Sequence, residues 1–125
     1  MKFTSTRNDK IEVTGAQAVV KGLSEEGGLF VPAFFPVITN EDMSLMSDMD
    51  YPERASFIIG KYLDELADLG EYTKKAYDRF DGDPTPVTVL GEGLAVLELW
   101  HGPTHAFKDI ALTLLPYLLT GSKKA

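Results

Sequence analysis

An apolar run, Leu94-Ala95-Val96-Leu97-Glu98-Leu99-Trp100, stops at His101-Gly102-Pro103, and a helical pattern starts at Phe107. Glycine followed by proline ends regular structure, so the order must be strand, tight break, helix. The apolar run reads as a buried strand. Thr104 is placed to cap the helix, its hydroxyl accepting a first-turn N–H. Asp109 suits the positive end of the helix dipole, whereas Lys108 beside it does not. A lysine in that position is a candidate for Schiff-base chemistry, which needs an amine able to give up its proton. On spacing alone, a solvated surface lysine is the plain alternative.

The rest of the chain supplies short elements around that junction. Residues 2–7 read as a short strand and Asn8-Asp9-Lys10 as a turn. A helix is expected over Gly15–Gly22, with Gly22 as its left-handed cap, and a short extended run at Leu29-Phe30-Val31. Thr39-Asn40 offer caps for a helix over Glu41–Met46. Apolar residues at 55, 58, 59, 62, 63 and 66 predict one long helix from Tyr51-Pro52 to about Asp68, ended by Gly70. A second helix over Glu71–Phe80 completes an αα-hairpin packed on the strands. Val87–Leu90 and Leu94–Trp100 flank Gly91-Glu92-Gly93 as a β-hairpin. The final helix carries Phe107, Ile110, Ala111, Leu114, Leu115 and Leu118, with Pro116 expected to kink it. The whole reads as α+β.

Composition excludes several function classes. The 125 residues suit one ordinary domain, and 12 Lys+Arg against 19 Asp+Glu leave a net charge of −7. That balance argues against nucleic acid or an anionic membrane as partner. There is no cysteine, hence no disulfide framework and no thiolate zinc site. No stretch approaches a transmembrane span and no signal-peptide core follows Met1, so the expected location is cytoplasmic.

Other chemistry is mostly declined. His101 and His105 are four apart, but Gly102-Pro103 between them breaks the helix that would align two metal ligands. Gly27-Gly28 follow Glu25-Glu26, which would repel a phosphate, so they form a structural turn. Arg7 reads as solvated rather than as an anion contact. No Gly-x-Ser-x-Gly elbow is present.

The string Leu-Trp-His-Gly-Pro-Thr-His-Ala-Phe-Lys-Asp-Ile-Ala-Leu (99–112) resembles the lysine motif of the threonine synthase family, pyridoxal-phosphate enzymes of fold type II. Ser5-Thr6-Arg7 and Gly27-Gly28-Leu29-Phe30-Val31-Pro32 extend the likeness in similar order and spacing. Ala-Phe-Lys-Asp-Ile-Ala favours this family over the dehydratases, which show Ser-Phe-Lys-Asp-Arg-Gly. Asn8 departs from the family's glycine, and His105 from its apolar or small residue.

The resemblance implies that Lys108 carries pyridoxal 5'-phosphate, with Phe107 and His101 at the cofactor site. It implies conversion of O-phosphohomoserine and water to threonine and phosphate. Family members are several times longer, so the chain resembles an N-terminal piece. Residues 1–86 would form a mostly helical domain with a few short strands, and 87–125 would open the α/β cofactor domain. The loop cradling the cofactor phosphate would come later, and the 125 residues alone would be inactive. Expected partners are the rest of the enzyme chain and a second copy meeting the last helix at Leu114 and Leu118. The alternatives are a non-catalytic packing or interaction module on the same fold, and another pyridoxal-phosphate lyase.

Overall fold

Three of the helices start with the same device. The computed structural model describes all 125 residues. In the first helix, α1 (Gly15–Lys21), Gln17 N–H donates to Thr14 Oγ1 at 3.2 Å and Thr14 N–H donates to Gln17 Oε1 at 3.0 Å. The same reciprocal box opens α2 (Asn40–Ser47) through Thr39 and Asp42, and α3 (Tyr51–Gly60) through Asp50 and Glu53. Each box satisfies backbone donors that a helix start otherwise leaves unpaired. Gly22 ends α1 as expected, but not as a left-handed helical cap: at φ 72° and ψ −57° it centres a γ-turn, with Leu23 N–H donating to Lys21 O at 2.9 Å.

Ahead of α1 run β1 (Lys2–Ser5) and β2 (Glu12–Thr14), and after it β3 (Phe30–Pro32). They form one antiparallel sheet in the order β2-β1-β3, with Phe3 opposite both Val13 and Pro32. Pro32 is tolerated because β3 is an edge strand. β2 is an element the sequence reading missed, since its three residues are too short to show alternation.

The long helix expected over 51–68 is two elements. α3 stops at Gly60, a turn segment follows, and α4 (Leu69–Tyr77) begins before Gly70 rather than after it. The turns are closed by short-range bonds such as Tyr62 N–H to Ile59 O (2.9 Å) and Leu66 N–H to Leu63 O (3.1 Å). Part of the apolar spacing is still used: Leu63 and Leu66, joined by Leu69 from the start of α4, form a buried cluster against Phe3 and Val19. Burial fixed those positions, while the poor helix propensity of glycine at position 60 let the backbone break. α3 and α4 pack as the expected hairpin.

The C-terminal part brings three corrections. β4 (Val87–Gly91) and β5 (Leu94–Leu97) pair as the expected antiparallel hairpin, but the strand over 94–97 is largely exposed, not buried. The single kinked helix is instead α5 (Asp109–Leu112) and α6 (Leu115–Ser122), with Pro116 in the first turn of α6. Proline is harmless there because its missing N–H would have been unpaired anyway. Leu114 is 3% exposed and belongs to a core cluster with Ala76, Tyr77 and Phe80, so this chain covers it without a second copy. α6 packs on α1 and α4 and so ties the end of the chain to its beginning.

Candidate functional site

The segment between β5 and α5 is held at both ends by carboxylates. At its start, Glu98 accepts from the Thr88 hydroxyl at 2.6 Å, and its other oxygen lies 2.6 Å from His101 Nε2. The Thr88 hydroxyl, and after it His101, holds the Glu98 carboxyl below the usual carboxylate range. The backbone N–H of Glu98 donates to Pro86 O at 2.9 Å, which fixes its place beside β4. Trp100 stacks on the His101 ring, with centroids 5.7 Å apart and planes at 26°.

At the other end, Asp109 reaches back into the loop. Thr104 N–H donates to Asp109 Oδ2 and the Thr104 hydroxyl to Oδ1, both at 2.7 Å. Those two bonds, the hydroxyl's first, lower the Asp109 pKa although the residue is buried. Thr104 is therefore not the helix cap expected of it. Its hydroxyl is spent on the carboxylate and does not accept from a first-turn N–H.

Lys108 occupies the cap position of α5 and is exposed. α5 has four residues. The helix-dipole argument for this lysine loses its basis, because so few aligned peptides sum to little. What the structure provides instead is a setting. Lys108 lines an open groove whose other walls are Leu99, Phe107, Ile110, Ala111 and Leu112. None of the chain's six ion pairs includes Lys108.

The structure thus puts Lys108 and Phe107 in one groove and ties His101 to Glu98 at the loop's start. His105 stands apart from His101: it adopts φ 57°, and its Nδ1 lies 3.3 Å from Trp100 O. Arg7 is exposed and donates to Glu26 O at 2.9 Å. Glu98 and Thr88 are the residues that sequence reading overlooked. The available signal was a glutamate three positions before the motif histidine, at a strand's end.

Residues 2–77 match the family model for the threonine synthase N terminus. The chain belongs to the threonine synthase family. It is 36% identical over 120 residues to threonine synthase of Schizosaccharomyces pombe, covering 92% of this chain and 23% of that protein. To threonine synthase-like 2 of Xenopus laevis it is 37% identical, covering 99% and 28%. Its fold superposes on a pyridoxal-phosphate-bound threonine synthase from Brucella melitensis with a TM-score of 0.91 at 32% identity, covering 99% and 28%. For threonine synthase from Escherichia coli the TM-score is 0.85 at 28% identity, covering 98% and 28%. The chain thus spans 23–28% of each of these threonine synthase relatives. The α+β architecture expected from the sequence is that of the family.

Proposed function

We propose that this chain is the N-terminal part of a pyridoxal-phosphate carbon–oxygen lyase that makes threonine and phosphate from O-phosphohomoserine and water. In this reading Lys108 holds the cofactor. The observation that carries it is the Lys108 amine itself: exposed, in no ion pair, and at the edge of an apolar groove. The residues present fit the cofactor's aldehyde end, since a primary amine in such a groove can bind a carbonyl carbon beside a flat ring.

Pyridoxal phosphate, when bound, supplies that carbonyl and a ring that spreads carbanion charge. Lys108 Nζ would hold it, and the same amine, when free, would serve as a proton carrier at the substrate. Phe107 and Leu99 would offer that ring an apolar wall, and His101 lies at the loop's other end. Residues 1–86 act as the N-terminal domain and 87–125 as the start of the cofactor domain. The remaining chain supplies the phosphate cradle; Leu118 packs into the chain's own core, so a second copy would meet α6 at the exposed Leu115 instead. The location proposed is cytoplasmic; no helix here is long and apolar enough to cross a membrane.

In the full-length protein, Lys108→Ala and Lys108→Arg should both abolish the cofactor's protein-bound absorbance and turnover. Arginine keeps the charge but has no neutral amine to offer. An arginine variant that folds and keeps that absorbance overturns the reading. Lys61, Lys74 and Lys75, by contrast, are each paired with a carboxylate: Asp42, Asp78 and Glu71. Residues 1–125 alone should release no phosphate from O-phosphohomoserine.

A further inference from the structure

Glu98 is engaged more closely than a surface carboxylate at a strand's end would be. Its side chain is 19% exposed and both its oxygens are occupied, one by Thr88 and one by His101. An ionised carboxylate only accepts hydrogen bonds. The Glu98–His101 contact at 2.6 Å therefore requires the proton to sit on His101 Nε2. In the neutral ring that leaves Nδ1 as the unprotonated nitrogen. Nδ1 has no hydrogen-bond partner within the chain, and the His101 side chain is 30% exposed. Trp100, stacked on the ring, fixes its plane.

The fold also brings together the stretches of backbone that carry this histidine and the lysine. Gly102, the next residue after His101, packs so closely on Asp109, the next after Lys108, that a Cβ on Gly102 would lie 2.4 Å from Asp109 Cβ. The Thr104–Asp109 bonds close the loop around that contact. His101 and Lys108 thus each sit one residue from the point where the two ends of the loop touch.

We infer that Glu98 is a positioning residue, holding His101 so that Nδ1 accepts the proton an amino-acid substrate's ammonium must lose before its amine replaces that of Lys108. The step balances within the site. The ammonium's N–H bond breaks, an Nδ1–H bond forms, and the amine keeps the electron pair with which it attacks. The resulting imidazolium keeps its Nε2–H on the Glu98 carboxylate, which offsets the new charge. This inference rests on the reading of Lys108 given above.

The test uses full-length protein loaded with pyridoxal phosphate and labelled with 15N-histidine, the His101 signals being identified by their loss in His101→Asn. In the wild type, Nε2 should carry the ring proton and Nδ1 should not. In Glu98→Gln, whose amide can both donate and accept, the proton should be shared between the two nitrogens. The resting absorbance should be unchanged, while the rate of the absorbance change on mixing with O-phosphohomoserine falls roughly tenfold or more. Glu98→Gln added to His101→Asn should cause no further slowing. Glu98→Asp should restore the Nε2 proton and part of the rate, and it carries the test alone if the glutamine variant does not fold.

A glutamine variant with the wild-type tautomer and rate overturns the inference, as does a slowing that persists in the His101→Asn background. An aspartate variant with neither the Nε2 preference nor any recovery of rate does so too. Wild-type protein without a Lys108-dependent absorbance overturns the parent reading and this one together. Normal absorbance with no effect of Glu98 overturns this one alone.

Discussion

Tyr77 on α4 donates its phenolic hydrogen to the carbonyl of Ile110 on α5 at 3.1 Å, which joins the N-terminal helices to the segment carrying Lys108. Burial, reinforced by Tyr51, pushes the Tyr77 hydroxyl far above its usual range, so it remains a donor at any working pH. The ring meets Tyr51 edge-on at 4.8 Å and packs in the cluster that holds Leu114. Packing should outweigh the hydrogen bond. Tyr77→Phe should cost about 1 kcal/mol of unfolding free energy, and Tyr77→Ala about 3–5 kcal/mol. Urea unfolding of both variants checks the order; equal losses would mean that the ring contributes nothing.

Pro116→Ala should change stability little. Inside a helix, replacing proline would recover about 3 kcal/mol. In the first turn of α6 no backbone bond is missing, so the main effect is on the unfolded chain, which alanine leaves freer. A loss of at most about 1 kcal/mol is expected. A midpoint raised by several degrees would show that the proline strains the helix.

That proline marks where sequence legibility ended. Apolar spacing identified Leu63, Leu66 and Leu114, which are all in the core, but not Leu69, which joins them there. It did not show whether one helix or two carried them, because a turn of i→i+3 bonds keeps nearly the same face inward. The capping pairs Thr14/Gln17 and Asp50/Glu53 stood in the sequence as a readable S/T/D-x-x-E/Q pattern. At the site, Lys108 and His101 came from the family likeness. Glu98, Thr88 and the Thr104–Asp109 clasp depend on strand register and loop closure, which no local pattern encodes. The apolar run over 94–97 looked buried because it is greasy, yet within this chain the hairpin packs on no other element to that extent.

Asp109 should make stability depend on pH in the acid range. Its folded pKa is depressed, first by the Thr104 hydroxyl and then by the Thr104 N–H, below an unfolded value of about 3.9. Such a group stabilises the fold above its unfolded pKa, and that contribution is lost as pH falls through the folded one. The stability gap between wild type and Asp109→Asn should therefore be constant above about pH 5 and shrink below about pH 4. A gap that stays flat down to the acid transition would show that the carboxylate's charge does not matter.

Gly102→Ala should disturb the loop more than its one added methyl suggests. The new Cβ would lie 2.4 Å from Asp109 Cβ, 2.5 Å from Oδ2 and 2.9 Å from Cγ. Rotating the aspartate could move its carboxylate away, at the cost of both Thr104 bonds, but Cβ is fixed by the backbone and cannot rotate. The backbone itself must shift, for which overpacking costs of about 1–3 kcal/mol are typical. Truncating Asp109 to alanine leaves the closest clash in place, so Gly102→Ala should cost nearly as much in that background. Asp109→Gly removes the Cβ, and there the same substitution should cost close to nothing. The cycle measures the contact because each background removes a different part of the obstacle. A Gly102→Ala penalty that vanishes with Asp109→Ala would mean that the carboxylate, not the backbone approach, holds the two ends of the Lys108 loop together.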